Sequence, residues 1–431
     1  MPASLSLQQT PAFSVPIPFI LSAPAFGMLA ALVLLWFGPE PFFNRWSAES
    51  LAVTHMLTLG FLLMTMVGAM QQLLPVLLGT PVPAARLFSV SVYFGLLTGI
   101  ASLVSAWLTG FSLLFVSASV LLGLSIFLFI VMSGHCLAVS VSAHATRTTM
   151  LLALGALLVT VVLGTGLSIT SAGAGSIFTR ELTSLHMNWG LTGWVILLLM
   201  AVAYQVIPMF QITREYPLWH RKALAWTAVT GLVLMTIGQS FFEPWLALSG
   251  NIVVALVIMM FSATSLVLLW SRKRKLKDVG VLFWYLAFTS MMLACVLWLA
   301  RDRLGLEAND MLLGVVLVVG SFCSAANGMM YRIVPFIAWL HLNLIRQQQG
   351  LPQSTVPNMK QLASDQLSRV QFYLHLSSLI LLALHYLVSS IAFYPAALVF
   401  FLSQGLLLAN LVSAVEHYHV ARRTLLKPMS C

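Results

Sequence analysis

Twelve long apolar runs constrain this chain more than anything else in it. They lie at roughly 16–37, 51–79, 84–108, 112–141, 149–172, 184–212, 222–242, 246–271, 279–300, 309–341, 369–392 and 395–417. A bilayer core about 30 Å thick is crossed by about 20 apolar residues in a helix. Inside lipid the backbone N–H and C=O groups have no water to bond, so each run must satisfy them itself. The predicted fold is therefore all-α: a polytopic membrane protein with twelve transmembrane helices in one transmembrane domain, 1–431. Only 7% of the residues are charged, against about 25% in a soluble domain, which leaves little room for a water-soluble part. Helices 2, 4, 6 and 10 are long enough to tilt or protrude. Pro16 and Pro18 open helix 1, where a missing N–H costs least, and Pro24 inside it is a candidate kink.

The net charge of +10 is a topology signal and not a nucleic-acid signal. Loops on the side holding both termini carry +13, and those on the other side carry −3. The positive side faces the cytoplasm, so both termini are predicted to be cytoplasmic in a bacterial inner membrane, with the lipid bilayer as the principal partner. The run Arg272–Lys277 reads as a topology anchor, with anionic headgroups as an alternative partner. Residues 342–368 are the one long polar segment and read as a cytoplasmic linker. No positive region and small-residue cleavage site precede the first apolar run, so no cleaved signal peptide is expected. Cys136, Cys295, Cys323 and Cys431 are scattered, with no CxxC or CxxCH, which excludes a c-type haem attachment; they read as small buried hydrophobes or a loose terminus.

Three of the apolar runs share a pattern. His55 opens the second, which ends on Gln71-Gln72-Leu73-Leu74-Pro75. His186 opens the sixth, which ends on Tyr204-Gln205-Val206-Ile207-Pro208. The tenth ends on Tyr331-Arg332-Ile333-Val334-Pro335. The prolines are 133 and 127 residues apart, and the histidines precede theirs by 20 and 22. A constant period with a matching local pattern predicts an internal repeat, here three pseudo-repeats of four helices.

An ionisable side chain inside a membrane helix is a candidate functional residue. His55 and His186 fall a few residues into helices 2 and 6, and His385 falls about seven residues from the outer end of helix 11. At 1.5 Å per residue the three imidazoles share one outer level. Neutral imidazole ligates haem iron and copper, and two of them from separate helices can clamp a haem; alternatively each is polar glue between helices. Gly60, Gly68, Gly190 and Gly193 mark small faces that admit either a flat ring or close helix packing. Gln71, Gln72, Tyr204, Gln205 and Tyr331 read as a polar interface belt, with Arg332 snorkelling to the cytoplasm or pairing with an anion such as a propionate. His375, near the inner end of helix 11, and His135, His144, His220, His341, His417 and His419 read as interfacial residues. His417-x-His419 resembles a metal pair.

The run His55…Gly68-x-x-Gln71-x-Leu73-Leu74-Pro75-Val76-x-x-Gly79 resembles helix 2 of the catalytic subunit of haem–copper oxidases. The resemblance implies twelve helices, cytoplasmic termini, and a low-spin haem with a helix 2 histidine as axial ligand. It also implies a His-x-His on helix 10 and a His-His pair on helix 7. Here helix 10 opens Met311-Leu312-Leu313-Gly314-Val315, and residues 222–242 contain no histidine. The oxygen-reducing binuclear centre of that family cannot be assembled in its usual form, so a proton-pumping terminal oxidase is not expected. The NnrS-like branch, with haem and copper and a link to nitric oxide stress, is the nearer analogue.

The sequence thus predicts a protein that binds haem b, with copper as a further cofactor. His55 is the first ligand, and His385 or His186 its partner or a separate metal ligand. The role is electron transfer with a redox partner or quinol, or handling of a diatomic gas such as nitric oxide. The competing reading is a haem-free transporter or accessory membrane protein. Topology is directly testable: reporter fusions in the 172–184 and 301–309 loops should read as periplasmic, and a cytoplasmic signal from either would reverse the assigned orientation.

Overall fold

The computed structural model describes residues 9–79, 82–140, 145–173, 181–274, 278–300, 310–388 and 390–426. His144, Arg180, Lys275, Lys277, Lys427, Cys431 and the 301–309 loop lie outside them. Among the described residues the secondary structure is helical, with no strand. Twelve helices are long and apolar enough to cross a membrane, as expected of a multi-pass membrane protein.

In order, α1 is Ile17–Phe37, α3 Ala85–Thr109, α4 Ser112–Val139, α5 Ala145–Ser171, α7 Leu218–Ser240, α8 Pro244–Trp270, α9 Val279–Ala300, α11 Asp365–Leu387 and α12 Phe393–Leu425. The other three are composite. α2 runs through Ala48–His55, a π-helical stretch Met56–Leu63, and Met64–Leu78; α6 through Glu181–Asn188, a π-helical stretch Trp189–Ile196, and Leu197–Gln211; α10 through Asp310–Gly314, a π-helical stretch Val315–Cys323, and Ser324–Gln348.

The three π stretches fall in register. Each ends 12 residues before the proline of its helix: Leu63 before Pro75, Ile196 before Pro208, Cys323 before Pro335. A π turn shifts the backbone hydrogen bond to the fifth residue and is usually confined to a single bulge. Here it extends over eight or nine residues in each helix. These helices are also the most enclosed, with 67, 72 and 67% of the apolar window buried, against 33–44% for α3, α4, α5, α7, α8, α11 and α12. Neither Pro24 nor the three repeated prolines ends its helix.

Helix ends follow ordinary capping chemistry. Ser47 accepts the Ser50 N–H and starts α2 three residues before its apolar run. Ser364 does the same for α11 through the Leu367 N–H. Gly38, at φ +72°, closes α1 by donating its N–H to Leu34 O, a conformation that suits glycine. α10 continues to Gln348, so the polar connection is shorter than 342–368. It contains a short helix, Met359–Leu362, closed by an Asn358–Gln361 capping box. Val356 and Leu362 pack with Ala338, Leu342, Tyr418 and Leu425.

Two compact units divide the chain. One comprises Met1–Leu77, Lys277–Ala287 and Val318–Cys431; the other comprises Leu78–Leu276 and Phe288–Leu317. The second contains a helix pair packed backbone against backbone. A Cβ on Gly250 of α8 would lie 2.5 Å from Gly231 O and 2.6 Å from Met235 N of α7. Backbone atoms cannot yield as a side chain can. Gly250→Ala should therefore destabilise the protein by about 1–3 kcal/mol. Gly134→Ala in α4, where a Cβ meets nothing within 4 Å, should be neutral or stabilising through helix propensity, by up to about 1 kcal/mol. Thermal unfolding in detergent measures both, and equal effects would contradict the packing account.

Candidate functional site

His55 is the last residue before the π stretch of α2. It is half-buried, and its Nδ1 lies 2.7 Å from Leu51 O. A carbonyl only accepts, so Nδ1 carries the proton and the neutral ring has its lone pair on Nε2. Histidines that bind metals through Nε2 are oriented by this same bond to a backbone carbonyl.

His385 sits two residues from the end of α11 and is 2% exposed. Neither ring nitrogen has a hydrogen-bond partner. Its ring is enclosed by Phe43, Tyr386 and Phe393, with centroids at 4.9, 4.6 and 4.9 Å.

The connection between α1 and α2 joins the neighbourhoods of these two histidines. It contains a 3-10 turn, Glu40–Phe43. The Ser47 and Ser50 hydroxyls donate to Pro41 O at 2.8 and 3.2 Å, which ties the turn to the start of α2. Tyr386 donates to Phe42 O at 3.0 Å, and Phe42 stacks on Phe393 at 5.6 Å, which ties it to the end of α11 and the start of α12. His55 and His385 therefore belong to one end of the same unit.

They lie at different distances from the ends of their own helices. His55 lies seven residues inside α2 and His385 two from the end of α11, about 10 and 3 Å along the axes. The difference from the expected common depth has two causes. The Ser47 cap starts α2 early, and a 3-10 turn, Ser390–Ala392, replaces the last turn expected of α11.

His186 falls in the other unit. It is half-buried, five residues into the described part of α6. Its Nδ1 donates to Thr160 O of α5 at 3.0 Å, and its ring lies over Gly164, where a Cβ would come within 2.7 Å of Cε1.

The glycines of α2 and α6 serve helix packing. A Cβ on Gly60 would meet Phe26 at 2.4 Å, and one on Gly68 would meet Phe19 and Pro16 O at 3.0 Å. Gly190 lies against Thr160, and Gly193 against Ala156. None of these faces is a slot for a flat ring.

Several expectations about the polar residues are overturned. Gln71 and Gln72 are each 3% exposed, with no hydrogen-bond partner on either side-chain amide. Tyr204 and Tyr331 are buried as well, so these residues form no interface belt; the enclosed position of their helices removes them from lipid and water alike. Arg332 neither snorkels nor awaits an anion, because it forms an ion pair with Asp278, just before α9. His220 and His375 are fully buried and not interfacial.

His220 packs among Tyr204, Tyr216, Trp219 and Phe261. Burial pushes the Tyr216 phenol well above its ordinary range, which keeps it neutral in its 2.8 Å hydrogen bond with Ser265. His375 bonds through Nε2 to Ser324 Oγ at 2.9 Å, and Asn410 donates to Tyr331 OH at 3.0 Å. The sequence signal for this polar interior was present as a face of α11, Ser368, Gln371, His375, Ser378, at helical spacing. It was hidden because buried and interfacial polar residues share that spacing.

Among the described residues, no three His, Cys, Asp or Glu side chains come together as a protein-held metal needs, so the geometry offers no support for copper. The chain matches no family model and no curated protein.

The Arg332–Asp278 pair is testable by removing one partner. Arg332→Met alone leaves a carboxylate only 9% exposed without its counter-charge and should destabilise the protein by about 3–5 kcal/mol. Adding Asp278→Asn should recover a substantial part, and unfolding of the double variant at or below the single one would refute the pairing.

Proposed function

We propose that this membrane protein binds a b-type haem in the unit that contains α1, α2, α11 and α12. His55 is the first axial ligand and His385 the second. The observation that supports this most is the unpartnered His385 ring. A fully enclosed imidazole with both nitrogens unbonded costs about 1–3 kcal/mol per missing hydrogen bond, and a ligand that takes one lone pair removes part of that cost. It sits at the same end of the unit as His55, whose Nδ1–H···O=C bond leaves the Nε2 lone pair as the donor to iron.

The haem would supply one-electron redox chemistry at a potential set by its two imidazoles and its enclosure. The chain's own residues hold and orient it. The Leu51 carbonyl fixes the His55 tautomer, and Phe43, Tyr386 and Phe393 exclude water from His385. Two imidazole ligands favour electron transfer, with a quinol or protein redox partner, over gas handling, which needs an open position.

The reading keeps the three pseudo-repeats of four helices, which the recurring π stretch and proline support. It also keeps the bacterial inner membrane, with both termini cytoplasmic and the haem toward the periplasmic face.

A haem-free transporter is the second reading, and the unpartnered Gln71, Gln72, Asn327 and Gln404 side chains favour it. The visible spectrum of protein expressed with ample haem separates the two. The expected result is a reduced α band and a sharp Soret band. His55→Ala should abolish them. His385→Ala should convert the spectrum to a five-coordinate form that binds carbon monoxide or nitric oxide. A folded, colourless wild type would refute haem binding, and an unchanged spectrum in His385→Ala would remove that ligand.

A further inference from the structure

One face of α11 carries buried polar residues. Ser368, Gln371, His375, Ser378 and His385 occupy it, and each is 3% exposed or less. From Ser368 to Ser378 is 10 residues, about 15 Å, half of a hydrocarbon core about 30 Å thick.

Neighbouring helices meet this face with polar groups of their own. Ser324 of α10 bonds His375 at 2.9 Å. Gln371 donates to Ser403 of α12 at 3.0 Å. Asn327, one turn from Ser324 on α10, is completely buried, as is Gln404, beside Ser403; the Gln404 side chain packs on Gly27 of α1. Phe372, Leu379 and Leu382 are buried on the same side of the helix, and Leu382 separates Ser378 from His385.

The hydrogen bonds made within the protein do not satisfy these groups. Gln371 Oε1, His375 Nδ1 and both amide atoms of Asn327 have no partner. Native proteins rarely leave buried polar atoms unbonded, and internal water bonding two to four such groups is the usual solution. The atoms left over include both donors and acceptors, all on uncharged side chains, which suits water and not a metal ion or an organic anion.

We propose that α11 carries a hydrated file between itself, α10 and α12 along which protons are relayed, with His375 as the titrating station. The step balances without electrons. His375 takes a proton on Nδ1 from a hydronium of the file, which becomes water. It releases the one on Nε2 to Ser324 Oγ, whose hydroxyl turns from Val319 O and passes its own hydrogen to the next water of the file. The ring returns to neutral as its other tautomer, and reorientation of the ring and hydroxyl resets the file. The proposal does not depend on haem, since neither His55 nor any iron takes part in it.

The test is proton flux in liposomes containing the full-length protein and a trapped pH dye, driven by a potassium diffusion potential with valinomycin. Wild type should acidify or alkalinise the lumen at least tenfold faster than protein-free vesicles. His375→Gln keeps a hydrogen-bonding side chain that cannot titrate and should lower the flux at least tenfold. Ser324→Ala should lower it as well. An unchanged elution profile and unfolding temperature will show that each variant is folded. Wild-type protein prepared from haem-depleted cells should conduct as haem-replete protein does, which separates this proposal from the preceding one. Wild-type flux equal to that of empty vesicles, or His375→Gln conducting at the wild-type rate, would overturn it.

Discussion

Lipid offers the backbone no hydrogen-bond partner, and the rest of this structure follows from how the chain meets that constraint. Eight of the crossing helices do so with the ordinary i to i−4 bond, and α1 departs from it once, at Pro24. α2, α6 and α10 depart from it twice each, once in a π stretch and again at a proline that lacks an N–H. Such departures are tolerated where protein, and not lipid, surrounds the weakened backbone. These same three helices are among the most enclosed in the chain, so irregularity and enclosure go together for a physical reason.

The same constraint governs the side chains. A buried polar group without a partner is costlier in a low dielectric than at a wet surface, yet the unit built from α1, α2, α11 and α12 concentrates such groups. Some are paired there, as in Tyr331–Asn410, Gln371–Ser403, His375–Ser324 and Arg332–Asp278. Others, at Gln71, Gln72, Asn327, Gln404 and His385, are not. The other unit contains both kinds as well: half-buried His186 is tied to a carbonyl of α5, while fully buried His220, packed among aromatic rings, leaves both ring nitrogens without a partner.

The distance between reading a residue and reading its surroundings shows most clearly at the glycines and at His375. Gly60 and Gly68 are visible in the sequence as small faces, but whether a small face receives a ring or a neighbouring helix depends on what lies opposite. Phe26, Phe19 and Ile20 are on α1, remote in sequence. His375 has the helical spacing of a buried polar face, yet an imidazole near a helix end is equally suited to an interface. Only the approach of Ser324 from α10 distinguishes the two. Arg332 is similar, because its counter-ion Asp278 is 54 positions away in the chain and unrelated to it by any local pattern.

What the sequence determined alone is the set of twelve helices, their approximate limits, and the matched prolines and histidines that single out α2 and α6. Hydrophobic length and local spacing are properties of contiguous residues, and the bilayer converts them into helices almost without regard to context. Tertiary structure decided which polar groups are partnered, which glycines are filled, and that His55 and His385 share one end of a unit through the turn at Pro41–Phe43. Those outcomes rest on contacts between segments far apart in the chain, and no local pattern of residues encodes them.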